Sequence, residues 1–432
     1  MFHKLIYKIG VSYRNPSLKK RYNDLLRTDY ASITELESIQ LTRLKQLLTH
    51  ADRYSGYYRQ LFESIDFDVE QIKNLDDLKR LPIIDKKTLI SNADSIHSRF
   101  KFKKRVKSET SGTTGQPLLI YRSEEWDSGT RAAMFRGYSW YNVNPWDFNG
   151  YLWGYNINSK EAIKTRFLDF LQNRTRIFSY TEDEIKAFAK LLKRAKYISG
   201  YSSMIYELAK IVNKLNIGGR DFFKDLKMVK GTSEKIYDSY QQEAQKAFGK
   251  KIVSEYGSME TGIIAFECPE GGNMHIAMEH VIVEEENGEI IVTNLLSQSF
   301  PIIRYKLGDV VTLAPSGFKC KCGREHKVIH NIIGRVGKKV YGKANTYPSL
   351  TFYYVFKNLT LSSGHVLNYQ SVQERAGEIT LKIEQAKNND CHEKLLKELH
   401  KYFGDDLDFN ILYEQVLHTF DGKLKDFVTS ME

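Results

Sequence analysis

The chain has few cysteines and few prolines, four and eight in 432 residues. So few thiols in so long a chain do not make a disulfide framework, which excludes a cross-linked secreted scaffold and makes a reducing cytoplasm the expected setting. The scarcity of proline, with no low-complexity tract and no internal repeat, excludes long disordered linkers and repeat arrays. No run of about 18 apolar residues occurs, so no transmembrane helix is expected. The opening Met1-Phe-His-Lys-Leu-Ile-Tyr-Lys is interrupted by Lys4 and Lys8 and lacks the unbroken apolar core of a signal peptide. It reads as a surface helix, or as a short basic amphipathic helix that lies on a membrane. No Lys/Arg block and no nucleic-acid motif stands out, so the net charge of +11 is a modest excess that gives no reason to expect nucleic acid.

What is present suits a folded protein: 41% hydrophobic and 12% aromatic residues, over a length that calls for two or three domains. Residues 1–100 read as mostly helical, with Ile33, Leu36, Ile39, Leu44, Leu47 and Leu48 on one broad stripe. Leu81-Pro-Ile-Ile-Asp85 breaks that pattern, and Asp85 is placed to cap a short helix. Helices are expected over 124–141, 182–195, 203–214 and 234–248, alternating with strands near 150–155, 227–231 and 251–255. That alternation indicates a mainly parallel, covered sheet in a mixed α/β (α+β) protein. Over 274–313 short strands joined by Asn287-Gly288 suggest a small antiparallel subdomain. The expected division is a large domain at 1–334 and a small α+β domain at 335–432.

The segment Ser108-Glu-Thr-Ser-Gly-Thr-Thr-Gly-Gln-Pro-Leu118 sets Ser111, Thr113 and Thr114 around Gly112 and Gly115, after a basic run and before a strand. Hydroxyls and open backbone amides are what a loop needs to wrap an anion. Further short polar segments follow predicted strands: Lys230-Gly-Thr-Ser-Glu234, Glu255-Tyr-Gly-Ser-Met-Glu260, Arg304-Tyr-Lys-Leu-Gly-Asp309 and Ile333-Gly-Arg-Val-Gly-Lys338. In parallel sheets ligands gather at the carboxyl ends of strands, so these are candidate site walls.

In this order, the segments resemble the motifs of the adenylate-forming acyl-ligase superfamily, and in particular its phenylacetate–CoA ligase branch, including members from capsular-polysaccharide loci. The resemblance runs from Leu81-Pro-Ile-Ile-Asp to the C-terminal Gly422-Lys423. It implies a carboxylate attacking the α-phosphate of Mg-ATP, then a nucleophile displacing AMP from the acyl-adenylate. Ser111, Gly112, Thr113, Thr114 and Gly115 would then hold the β- and γ-phosphates. Tyr256, beside Gly257 and Ser258, would stack on adenine, and Glu234 would lie near the site. Glu260 would hold Mg²⁺, Asp309 the ribose hydroxyls, and Arg335 ribose or α-phosphate oxygens. Lys423 resembles the family's C-terminal lysine, with Lys425 as the other candidate. The C-terminal domain is implied to be a mobile catalytic lid, with Lys338 at its hinge. The chain departs from the family pattern at Gln116, Leu118 and Met259, which leaves fewer cationic and hydroxyl contacts to ATP.

Cys268, His275, Cys320 and Cys322 make a Cys₃His set of the kind that holds structural zinc, with its halves on either side of the antiparallel segment. Cys391 stands apart. The expected activity is therefore an AMP-forming ligase of a small carboxylic acid, acting in the cytoplasm, with ATP and Mg²⁺ as its cofactors, Zn²⁺ as the structural ion the Cys₃His set would hold, and coenzyme A as one of the open acceptors. The acceptor stays open between coenzyme A, an amine and a sugar, with surface-polysaccharide biosynthesis as the setting the resemblance implies. The acyl pocket is expected near Trp153, Tyr155, Tyr201 and Ser202. The competing readings are a non-catalytic nucleotide-binding protein on the same fold and a binder of polyanions or membrane surfaces.

Overall fold

The computed structural model describes residues 2–109, 118–153, 159–177, 182–335, 339–349, 351–417, 419–420, 423–424 and 426–431. The chain begins with helices α1 (Phe2–Arg14), α2 (Leu18–Arg27) and α3 (Ile33–Tyr54). α3 starts where the Ser32 hydroxyl accepts from the Glu35 amide, and it buries Leu36, Gln40, Leu44, Leu47, Leu48 and Ala51, the face its apolar spacing predicts. The break at Leu81 is followed by the helix Lys86–Ser91, whose first turn Asp85 caps through the Thr88 amide at 2.7 Å. A hairpin of β1 (Arg105–Glu109) and β2 (Leu119–Ser123) then brackets the Ser/Thr/Gly loop, with Glu109 paired to Leu119.

Next come β3 (Asn149–Leu152), β4 (Arg174–Arg176), β5 (Tyr197–Tyr201), β6 (Met228–Thr232) and β7 (Ile252–Ser258). β8 (Gly262–Glu267), β9 (Met274–Ile276), β10 (Val281–Glu286), β11 (Glu289–Asn294), β12 (Ile302–Leu313) and β13 (Val328–Arg335) follow. Among the described residues these form one sheet in the order β10-β11-β12-β13-β9-β8-β7-β6-β5-β3-β4. The half from β4 to β7 is parallel, with helices as crossovers; the half from β7 to β10 is antiparallel. The antiparallel segment thus continues the parallel sheet instead of standing beside it. The cause is the tight turn between β7 and β8, which reverses direction without a crossover.

Among the described residues three cores cover this sheet. One joins α3 and the helices after it to the antiparallel half; the second lies between the parallel strands and the helices Glu182–Leu192, Ser202–Lys214 and Asp238–Phe248; the third packs α2 and the helix Glu124–Trp140 on β5, β6, β7 and β8. The sequence places the start of the helix Asp238–Phe248 at 234; in the structure it starts at Asp238, after a bend at Ser233, whose φ is 67°, and an extended Tyr237.

Beyond β13 lie β14 (Lys339–Tyr341), β15 (Thr346–Pro348), β16 (Tyr369–Arg375), β17 (Glu378–Ile383), β18 (Asp408–Leu412), β19 (Thr419–Phe420), β20 (Lys423–Leu424) and β21 (Phe427–Thr429). A four-stranded sheet in the order β18-β17-β16-β21 packs against the helices Thr351–Ser363 and Asn389–Phe403 around its own core, where Phe356 stacks on Tyr369 at 3.7 Å. Cys391 is buried in that core.

Candidate active site and metal centre

The candidate site lies where the large sheet changes from parallel to antiparallel. In open α/β sheets ligands gather beyond the carboxyl ends of the strands at such a change of topology. Tyr256 sits near the end of β7 and donates its hydroxyl to Asp309 Oδ2 on β12 at 2.7 Å. The two residues are 53 positions apart in the chain, and the fold makes them neighbours. Asp309 is also the register partner of Arg335 on β13, so the backbone sets that arginine directly across the ladder. Gly257 permits the close approach of the β7–β8 turn: a Cβ there would stand 2.2 Å from the Gly262 carbonyl oxygen.

Glu260 lies in that turn and is 6% exposed. Its carbonyl accepts from Asn294 Nδ2 at 3.2 Å, and the turn is closed by the Thr261 amide donating to Ser258 Oγ at 3.1 Å. Glu234, just after β6, accepts from the Ser203 amide at 2.8 Å, at the start of the helix Ser202–Lys214. There it satisfies a backbone donor at the positive end of that helix, which accounts for an acidic residue at this place.

Of the expected acyl-pocket residues, Trp153 and Tyr201 pack with ring centroids 4.7 Å apart. Ser202 is fully buried and donates to the Glu234 carbonyl. Arg304 turns away from the site: its guanidinium binds the carbonyls of Lys79 and Leu81 and the Glu284 carboxylate, stapling the Leu81 segment to β12. Ser111, Gly112, Thr113, Thr114, Gly115, Gln116, Tyr155, Lys338 and Lys425 lie outside the described residues, as do the side chains of Arg335 and Lys423. The backbone sets Lys423 on a two-stranded hairpin, across from Phe420.

One pair escaped sequence reasoning. Lys230 of β6 and Glu255 of β7 form a buried ion pair at 2.7 Å, with Glu255 next to Tyr256 in the chain and Lys230 Nζ also 5.5 Å from the centre of the Tyr138 ring. Both residues stand in polar segments of the sequence, but their pairing depends on the adjacency of β6 and β7 that the fold supplies. The pair ties β6 to β7, and breaking it from one side would strand a buried charge.

The cysteine set does come together. The ligand atoms of Cys268, His275, Cys320 and Cys322 all lie within 4.8 Å of one another. Cys268 Sγ is 3.6 Å from Cys320 Sγ, too far for a disulfide, and Cys322 Sγ is 3.2 Å from His275 Nε2. Tetrahedral zinc, with Zn–S of about 2.3 Å, sets its sulfurs roughly 3.7 Å apart, so the donor set fits such an ion. His275 Nδ1 lies 3.3 Å from the His326 carbonyl, so Nδ1 carries the hydrogen and Nε2 is left bare towards the cluster. Burial lowers the His275 pKa to about 4, which keeps the imidazole neutral as a ligand must be. Behind His326 runs a buried charged network in which Glu279 binds Arg136 at 2.6 Å and His326 at 3.2 Å. Burial opposes the Glu279 charge, but Arg136 and His326 hold its carboxyl well below the usual range.

No family model matches the chain. It is 22% identical to Protein CapK of Staphylococcus aureus over 95% of this chain and 93% of that protein. It is 23% identical to a phenylacetate-coenzyme A ligase of Thermus thermophilus over 81% of each. Among solved structures, 2-hydroxyisobutyryl-CoA ligase in its postadenylation state superposes with a TM-score of 0.71 at 16% identity, over 94% of this chain and 92% of that one. The chain is thus similar nearly end to end to Protein CapK and over about four fifths of its length to a phenylacetate-coenzyme A ligase, and it shares the fold of 2-hydroxyisobutyryl-CoA ligase.

Proposed function

We propose that the chain is an AMP-forming ligase that activates a small carboxylic acid with Mg-ATP and passes the acyl group to coenzyme A, an amine or a sugar. The observation that carries this reading is the Tyr256–Asp309 hydrogen bond, with Arg335 across the ladder from Asp309. It joins an aromatic face suited to adenine with an acidic acceptor suited to ribose. In the first step a carboxylate oxygen of the acid attacks the α-phosphate and pyrophosphate leaves. In the second the acceptor attacks the acyl carbon and AMP leaves.

The residues support the chemistry as follows. Tyr256 presents its ring to the base while its hydroxyl donates to Asp309, whose carboxylate serves the ribose. Lys423 supplies positive charge to the α-phosphate as the bond forms. Trp153 and Tyr201 form an aromatic wall for a small acid, polar or aromatic. Glu260, a buried hard oxygen ligand in the β7–β8 turn, is the residue fitted to hold Mg²⁺, which when bound shields phosphate charge from the incoming carboxylate. Zinc at the Cys₃His cluster is a clip between β8, β9 and the loop that follows β12, and takes no part in the chemistry. Residues 335–432 act as the lid, and a role in surface-polysaccharide biosynthesis is the setting proposed from the resemblance.

Acid-dependent exchange of labelled pyrophosphate into ATP, run over a panel of small carboxylic acids, tests the reading. Exchange with at least one acid is expected. ATP binding without exchange for any acid would instead make the chain a nucleotide-binding protein on this fold. Adding coenzyme A, amines or amino sugars to the active pair then identifies the acceptor by AMP release.

A further inference from the structure

We propose that α1, with the neighbouring helix Ser159–Leu171, seats the protein on an anionic lipid bilayer. The two sides of α1 differ. On its inner side Tyr7 packs against Phe135 and Trp146, with ring centroids 6.1 and 5.6 Å apart, and Val11 joins the same core. Its outer side carries Phe2, Leu5, Ile9 and Tyr13, which are 58%, 59%, 63% and 86% exposed. Spacings of three, four and four residues put these on one narrow stripe. The helix Ser159–Leu171 extends the patch: Phe170, 58% exposed, stands 6.5 Å from Phe2, and Phe167 is 62% exposed. Six large apolar side chains turned to water on two touching helices exceed the scatter of single exposed residues on ordinary surfaces.

Charge selects the occupant. No Asp or Glu occurs between Phe2 and Asn23, whereas Lys4, Lys8, Arg14, Lys19, Lys20 and Arg21 all do. Lys104 adds to the rim, its ammonium bonded at 3.0 Å to the carbonyls of both Tyr13 and Arg14 at the end of α1. Two copies of this face brought together would oppose basic rims and gain only repulsion there. A bilayer with anionic headgroups accepts the apolar stripe at the acyl boundary and is attracted by the net positive charge of this segment, as interfacial helices are. No described helix is long and apolar enough to cross a membrane, so the contact is peripheral. It stands independently of the ligase reading.

Flotation of the purified full chain tests this with two vesicle preparations: equal parts phosphatidylglycerol and phosphatidylcholine, and phosphatidylcholine alone. Binding to the mixed vesicles is expected, about tenfold weaker on phosphatidylcholine, and weakened again by high salt. The double variant Leu5→Ser/Ile9→Ser, altered only at exposed positions, is expected to bind the mixed vesicles at least about tenfold more weakly. It should keep its thermal midpoint and its helical circular dichroism. Wild type that ignores both vesicles overturns the proposal, as does a double variant that binds as wild type does. So does a sedimentation mass that doubles in wild type but not in the double variant without vesicle binding, because the face would then be an interface between copies.

Discussion

At the scale of single residues, the proposed site depends on one side chain doing two things. In that reading the Tyr256 ring faces adenine while its hydroxyl donates to Asp309, so the two contributions can be separated by substitution. Tyr256→Phe keeps the ring and removes the hydrogen bond; the KM for ATP is expected to rise about tenfold, the worth of one hydrogen bond to a charged acceptor. Asp309→Ala removes the ribose acceptor itself and should cost more, with no additional loss when Tyr256→Phe is combined with it. Additive effects in that double-mutant cycle, measured as kcat/KM for ATP in pyrophosphate exchange, would show that the hydroxyl does not act through Asp309. Both residues were legible in the sequence because each sits in a short polar segment at a strand end. The Lys230–Glu255 pair was not, since it depends on which strands the fold makes adjacent. Arg304 was legible as part of a motif but not as a staple, because two of its partners are carbonyls of a segment more than 200 positions away.

At the scale of elements, the antiparallel half was readable where turns announce themselves. Asn287-Gly288 joins β10 to β11 with both residues at positive φ, 53° and 81°, the geometry its sequence predicts. β9 is three residues long and paired on both sides, and a run that short carries no alternation to recognise. It matters because it holds His275 opposite the loop that carries Cys320 and Cys322. Four ligands from three separate stretches close long loops, so a metal there would stabilise the folded sheet over the unfolded chain. Metal analysis of the purified protein is expected to give about one zinc per chain. Stripping it with a chelator at neutral pH should lower the thermal midpoint by several degrees, and added zinc should restore it. The same midpoint in Cys320→Ser, with and without chelator, is expected to match the stripped wild type. A wild-type midpoint that does not respond to the chelator would leave the cluster as three thiols and a histidine with no metal to hold.

At the scale of the molecule, sequence periodicity distinguished the helical start and the α/β alternation, but it could not say how the elements after β13 meet the rest. The contact is polar. Glu384, just after β17, accepts from Tyr206 Oη at 2.8 Å, from Asn368 Nδ2 at 2.6 Å and from the Lys210 ammonium, while the Tyr237 hydroxyl donates to Asp426. Tyr206 and Lys210 lie one turn apart on the helix Ser202–Lys214, so one helix face presents both donors to one carboxylate. The apolar cores on the two sides are separate clusters. That division has a physical consequence. Parting two apolar faces would lose burial outright, whereas parted polar partners regain hydrogen bonds from water, so this seam can open at modest cost. The lid proposed for residues 335–432, which leaves after adenylation, needs such a seam. Glu384→Gln keeps the shape, removes the charge shared by Lys210 and Tyr206, and should favour the open arrangement. Amide exchange over residues 368–384 and along the helix Ser202–Lys214 is expected to speed up together, with the global thermal midpoint unchanged. Pyrophosphate exchange should fall about tenfold, because Lys423 travels with the C-terminal unit and would be withdrawn from the α-phosphate for more of the time. Lys423→Ala is the control that separates the two causes: it should depress adenylation without changing amide exchange at the seam. If Glu384→Gln lowers activity and leaves that exchange untouched, the carboxylate acts at the site itself and the seam is not the hinge of the reaction.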